Sequence, residues 1–212
     1  MKINIIFLSA ATALSSFFYL ASYTALDTII LRNGKKVELL QLSPDTDAGI
    51  FRKGKEVFVQ TFKKAYSNFS AEDLYLKDEP DFLTSFLDKA FKDEENDFEN
   101  KRPNAHFLVA RVVGTQEVIG FVAHDIDPET KQAYIRQLAI APQEQGQGLG
   151  KKMTLGVITK IAAGTQKVVV CTRRINQQAK EFYTCLGFID SDMERVHPQL
   201  SAVKYQGFEL SL

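Results

Sequence analysis

Three glycines fall within five residues in Gln145-Gly146-Gln147-Gly148-Leu149-Gly150, after an apolar run that stops at Pro142 and before a helical pattern. Glycine lets a backbone take conformations, and approach a ligand, in ways that a Cβ forbids. The unpaired N–H groups of the first helical turn, with the helix dipole, then face whatever sits in the loop. Such a junction suits an anion, a pyrophosphate for example. Lys151 and Lys152 add positive charge beside it. Two familiar phosphate loops do not fit. A Walker loop ending at Gly150-Lys151 needs glycine where the chain has Gln145, and serine or threonine where it has Lys152. The dinucleotide fingerprint spaces its glycines differently from Gly146-x-Gly148-x-Gly150. Taken alone, the loop reads either as a phosphate cradle or as a tight structural turn.

The surrounding pattern is that of a mixed α/β sheet in a single domain. Lys36 to Leu42 reads as a strand, followed by a turn at Ser43-Pro44-Asp45. Phe58, Phe62, Ala65 and Tyr66 recur at helical spacing, as do Leu83, Phe86, Leu87, Ala90 and Phe91. His106 to Val113 and Glu117 to His124 form a hairpin around Gly114-Thr115, and Ala133 to Ile140 is a further strand. A helix is expected from Gly148 to Ala163 with Gly164 as its cap, then a strand from Lys167 to Thr172. Asn176 to Leu186 reads as a helix ended by Gly187, and Ala202 to Leu210 as a last strand.

Composition excludes several classes. The 212 residues are 45% hydrophobic and 25% charged, which is enough for a real core. Equal counts of 26 basic and 26 acidic residues argue against a nucleic-acid partner, which usually meets a basic excess. The 2 cysteines form neither a disulfide framework nor a metal-ligand pattern, so no metal is expected. Cys171, in a strand of valines, and Cys185 read as small apolar fillers with no histidine beside them in sequence.

Residues 1–26 stand apart as a signal peptide or membrane anchor, with the globular domain over 27–212. No charge occurs between Lys2 and Asp27. A positive start followed by an apolar stretch marks a secretory signal or a membrane span. Cleavage signals are poor: Tyr23-Thr24-Ala25 puts a bulky residue where a small one is wanted, and Ala13-Leu14-Ser15 lies early. The expectation is a membrane-anchored or secreted protein, the side of the membrane being open. Arg32, Lys35 and Lys36 close behind the run make an uncleaved, cytosol-facing anchor the arrangement to test.

Gln145-x-x-Gly148-x-Gly150 after a strand resembles the acyl-CoA pyrophosphate loop of the GNAT superfamily of N-acetyltransferases. Asn176-x-x-Ala179-x-x-Phe182-Tyr183-x-x-x-Gly187-Phe188 resembles the helix after that family's fifth strand, and the order of elements over about residues 36 to 210 is similar too. The resemblance implies a mostly antiparallel sheet with splayed central strands, helices on both faces, and a pantetheine arm between the splayed strands. It implies acetyl-CoA as co-substrate and an amine as acceptor. Cofactor contacts would come from Leu138, Ala139 and Ile140 through their backbones, and from the run Gln145, Gly146, Gln147, Gly148, Leu149, Gly150 and Lys151. Asn176 would cap its helix and touch the cofactor.

The implied reaction is direct attack of an amine on the thioester in a ternary complex. Tyr183 stands at the family's general-acid position, where a phenol can protonate the leaving sulfur; a backbone N–H near Leu138 is the implied oxyanion donor. The position where many relatives carry a glutamate base is Gln137, and an amide cannot accept the proton. His124, Asp125, His106 and Glu94 are the replacements to consider, directly or through water. Loss of that base also leaves a non-catalytic acyl-CoA-binding module as the competing class. Between Glu72 and Glu99 lie 11 acidic and 3 basic residues. This is either a solvated helical face or an acidic rim that attracts a cationic acceptor, a small molecule or a protein lysine.

Overall fold

The structure is a computed structural model and describes residues 24–45, 47–74, 76–77, 79–161, 164–192 and 205–212. The strands are β1 (Thr24–Ile30), β2 (Lys36–Gln41), β3 (Ala105–Val112), β4 (Val118–Asp127), β5 (Gln132–Ile140), β6 (Lys167–Arg173), β7 (Ile189–Ser191) and β8 (Tyr205–Ser211). The helices are α1 (Ala48–Tyr66), α2 (Phe82–Glu99), α3 (Leu149–Gly156) and α4 (Gln177–Cys185). One sheet runs in the order β1-β2-β3-β4-β5-β6-β8-β7. The β5–β6 pair is parallel, and its crossover carries α3; the other neighbouring pairs are antiparallel.

Side-chain alternation along β4 sets the layers. Successive residues of a strand point to opposite faces. Phe121 meets α1, where a Cβ on Gly54 would lie 2.5 Å from its ring, and Phe51 of α1 stacks on Phe98 of α2 at 4.1 Å. The neighbouring Gly120 faces α3, and a Cβ there would lie 2.5 Å from Met153 Sδ. Thus α1 and α2 cover one face and α3 the other. Phe51, Phe58, Phe91, Phe98, Phe107 and Phe121 form a continuous aromatic core between α1, α2 and the sheet.

Two strands and half a helix are additions to the sequence-based reading. The strand β1 takes up the last residues of the uncharged run, Thr24 to Leu26, and pairs with β2 from Thr24↔Gln41 to Ile30↔Lys36. The short β7 closes the far edge on β8. Helix α1 begins at Ala48, nearly three turns before Phe58, where the apolar repeat noted above starts. Beyond Gly156, α3 continues as a π-helical turn, Val157–Ile161, towards Gly164, whose φ is +92°. Residues 1–23, which hold most of the expected signal or anchor, and 193–204 lie outside the described residues. Among the described residues no helix is long and apolar enough to cross a membrane.

Candidate active site

The parallel β5–β6 pair parts in mid-strand. Its register runs from Gln132↔Lys167 to Ile135↔Val170 and stops, although β5 continues to Ile140 and β6 to Arg173. The parting coincides with a bulge. Ala123 pairs with Gln137 while His124 pairs with Ile135, so Arg136 is an extra residue on β5. Bulges bend a strand and re-aim its side chains; here the successive residues Arg136 and Gln137 both border one cavity. Beyond the bulge Ala141 N–H bonds back to β4 at Ile119 O, 2.9 Å. By alternation the backbone groups of Ala139 also serve that ladder, and those of Leu138 and Ile140 turn to the open side. Leu138 and Ile140 accordingly border the opening, whereas Ala139 is fully buried opposite Phe121. The Ile140 carbonyl accepts from Thr61 Oγ1 at 2.9 Å and from Gln145 Nε2 at 3.2 Å.

Below this opening lies a cavity of about 430 Å³ floored by the glycine loop. Gly146 and Gly148 have φ values of +77° and +87°, a region open to glycine with little strain, and a Cβ on either would meet nothing within 4 Å. The loop is therefore set by backbone conformation, and its open side is free for a ligand. Gly150 permits close helix packing instead, since its Cβ would lie 3.3 Å from Phe182. Gly146, Gly148, Leu149, Gly150, Lys151 and Gln145 border the cavity. Gln147 does not border it; its carbonyl accepts from Arg32 N–H at 3.4 Å.

Arg32 is a site residue that the sequence did not mark. It sits in the β1–β2 turn, borders the cavity and donates through Nη1 to Gly146 O at 3.4 Å. The same turn is clipped to the loop by Lys35, which pairs with the buried Glu144, and by Asn33 Nδ2, 3.3 Å from Glu144 Oε2. The pairing holds the Lys35 ammonium above its usual pKa, the Glu144 hydrogen bond being the largest cause. An exposed guanidinium beside a glycine loop at a helix N-terminus adds a cation to an anion site.

Helix α4 supplies the opposite wall. Asn176 Oδ1 accepts from Ala179 N–H at 3.0 Å, which is the expected N-cap. At the other end Gly187, φ +92°, closes the helix: Gly187 N–H bonds Thr184 O at 3.0 Å and Phe188 N–H bonds Tyr183 O at 3.1 Å. Phe182, Phe188 and Phe208 surround the Tyr183 ring at centroid distances of 5.1, 5.4 and 6.2 Å. Burial raises its phenol well above the ordinary value and so keeps it protonated.

Tyr183, Leu138, Asn176, Ala179 and Phe62 also border a second cavity, about 490 Å³, on the α2 side of the parting. Of the acidic stretch, Asp93 and Glu94 face this space. Asp88 and Glu95 pair with Lys55, Asp97 with Arg102 and Arg136, and Asp73 bonds Ser70. Glu94 is 3% exposed, with Oε2 2.8 Å from Arg136 Nη2. Burial outweighs that guanidinium and pushes the Glu94 carboxyl up to about 7. His124 is fully buried, its ring nitrogens have no hydrogen-bond partner, and burial brings it down to about 3. Neither His124 nor His106 nor Asp125 borders the cavity; Asp125 is taken by Arg102 and Arg136. Cys171 does border it, but burial pushes its thiol up to about 11, above the range of a ready nucleophile.

The sheet thus parts over a glycine-rich loop, and a tyrosine stands where two cavities meet. Residues 70–188 match the model of the Acetyltransferase (GNAT) family, and the chain belongs to that family. The PaiA N-acetyltransferase of Thermoplasma acidophilum, in complex with coenzyme A, shares the fold. Its TM-score is 0.64 at 20% identity, over 83% of this chain and 99% of that one. An acetyltransferase from Thermus thermophilus gives 0.53 at 16% identity, over 83% and 97% of the two chains. The GNAT domain of S. lividans PAT gives 0.54 at 14%, over 88% and 96%. No curated protein sequence matches the chain.

Proposed function

We propose that this protein transfers the acetyl group of acetyl-CoA to a primary amine by direct attack. The observation that carries the reading is Tyr183, which borders both cavities and so stands between a cofactor side and an acceptor side. The glycine loop, Arg32 and Lys151 hold the pyrophosphate on the cofactor side, in keeping with the coenzyme A complex of the Thermoplasma acidophilum protein. Glu94, near neutrality in its titration, takes a proton from the acceptor ammonium directly or through water. The amine attacks the thioester carbonyl, and a C–N bond forms. The Leu138 backbone N–H steadies the oxyanion. As the C–S bond breaks, Tyr183 gives its proton to the sulfur and regains one from solvent, leaving an amide and free thiol. Gln137 favours a second reading, a binding module without turnover.

Product formation from acetyl-CoA with a panel of amines separates the two readings, with Tyr183→Phe as the internal control. If the hydroxyl acts only as the thiol leaves, kcat falls about tenfold or more while coenzyme A affinity holds. An unchanged kcat with chemistry rate-limiting removes Tyr183 from the mechanism. Binding without product supports the module.

A further inference from the structure

Resting on the acyl-transfer reading, we infer that the acceptor is an amino acid or close analogue whose carboxylate is held by Arg173 while its amine faces Glu94. Arg173 ends β6 at the parting and borders the acceptor cavity at 7% exposure. Its Nη1 donates to Leu74 O at 2.6 Å, and its guanidinium carbon lies 4.5 Å from the centre of the Phe86 ring and 5.5 Å from that of Tyr205. Among the described residues no carboxylate pairs with it, and its other N–H donors have no protein partner. Those N–H groups are not among the fully buried atoms, so they open on the cavity, where a planar guanidinium is ready for an anion.

The same cavity contains a control. Arg136 borders it too, partly buried, and its charge is paired with Glu94, Asp97 and Asp125, although Nε and Nη2 make no hydrogen bond. One arginine is thus neutralised by the protein and the other is left for a ligand. Ring contacts fix the plane of the Arg173 guanidinium without neutralising it, and a planar fork held in advance suits a carboxylate in two-point contact. Glu94 supplies a carboxyl to the same space, with the exposed Asp93 carboxylate at its border. A zwitterion satisfies Arg173 and Glu94 together. A polyamine leaves Arg173 facing a further cation, a repulsion that selects against it.

The test compares kcat/KM with acetyl-CoA for the common amino acids, their carboxamides and the matching decarboxylated amines, polyamines included. The inference expects the best amino acid to exceed its own amide and amine at least tenfold. Arg173→Gln is expected to bring that ratio near unity by raising the amino-acid KM, with coenzyme A still raising Tm. Carboxylate-free amines that serve equally well overturn the inference and leave the acetyltransferase reading standing. So does an Arg173→Gln loss that is the same for all three series, because that marks a tether for Leu74 only. Should Arg173→Gln not fold, the wild-type ratio alone decides. Absence of any acetylated amine overturns both.

Discussion

Glu94 and His124 are buried within one polar cluster, yet their titrations pull stability in opposite directions. The folded state holds the Glu94 proton up to about pH 7, whereas an unfolded glutamate loses it near its ordinary 4.5. Stability from this source is complete at low pH and is lost as pH rises through that window, by on the order of 3 kcal/mol. Glu94→Gln is therefore expected to gain on the wild type, by about 1–3 kcal/mol between pH 5 and 8, in urea unfolding. It also loses the rise in kcat/KM near pH 7 that a base at this position produces; a retained rise removes Glu94 from the base role. His124 behaves conversely. Its pKa falls from 6.5 to about 3 in the folded state, so stability is present above 6.5 and is lost on acidification through the window. With both ring nitrogens unpartnered, His124→Phe should keep its stability as pH falls from 6.5 to 4, where the wild type carries this loss. Equal acid sensitivity in the two proteins would count against a histidine held neutral.

At the scale of elements, the cofactor loop holds its shape through glycine conformation, so a side chain there acts on binding more than on the core. Gly148→Val should abolish the Tm increase given by coenzyme A, which at a hundredfold excess over Kd is worth about 2.7 kcal/mol, and leave the fold in place. A normal ligand-induced increase refutes the pyrophosphate assignment. The loop and α4 were legible in the sequence because their signals are local: glycine spacing, Asn176 before its helix, Gly187 after it. Arg32 was not, since it acts on Gly146 across 114 residues, and only the order of strands brings the β1–β2 turn to the loop. The start of α1 was hidden by its packing. Gly49 and Gly54 weaken helix propensity in a charged stretch, and Gly54 is required by Phe121, which no local pattern announces. Of the four base candidates, Glu94 alone borders the acceptor cavity, a sorting that depends on the bulge at Arg136 and on α2 folding back over β5.

For the whole molecule, the sheet sets terms for the chain's first residues. Because β1 takes up Thr24 to Leu26, the uncharged run left ahead of it is Ile3 to Tyr23, close to the about 20 residues that a membrane-spanning helix needs. We propose an uncleaved anchor with the domain on the cytosolic side, where acetyl-CoA is made available. Intact-mass analysis is expected to give the full chain, and protease added to sealed inside-out vesicles to remove the domain. A soluble form beginning near residue 25 outside the cytoplasm overturns this. The hairpin β1–β2 opens at Thr24↔Gln41 and is closed by the turn that carries Arg32 and Lys35. A pull that lifts β1 from the sheet at Thr24 is expected to open its pairs in order towards Ile30, so that the turn joining Arg32 to Gly146 parts last.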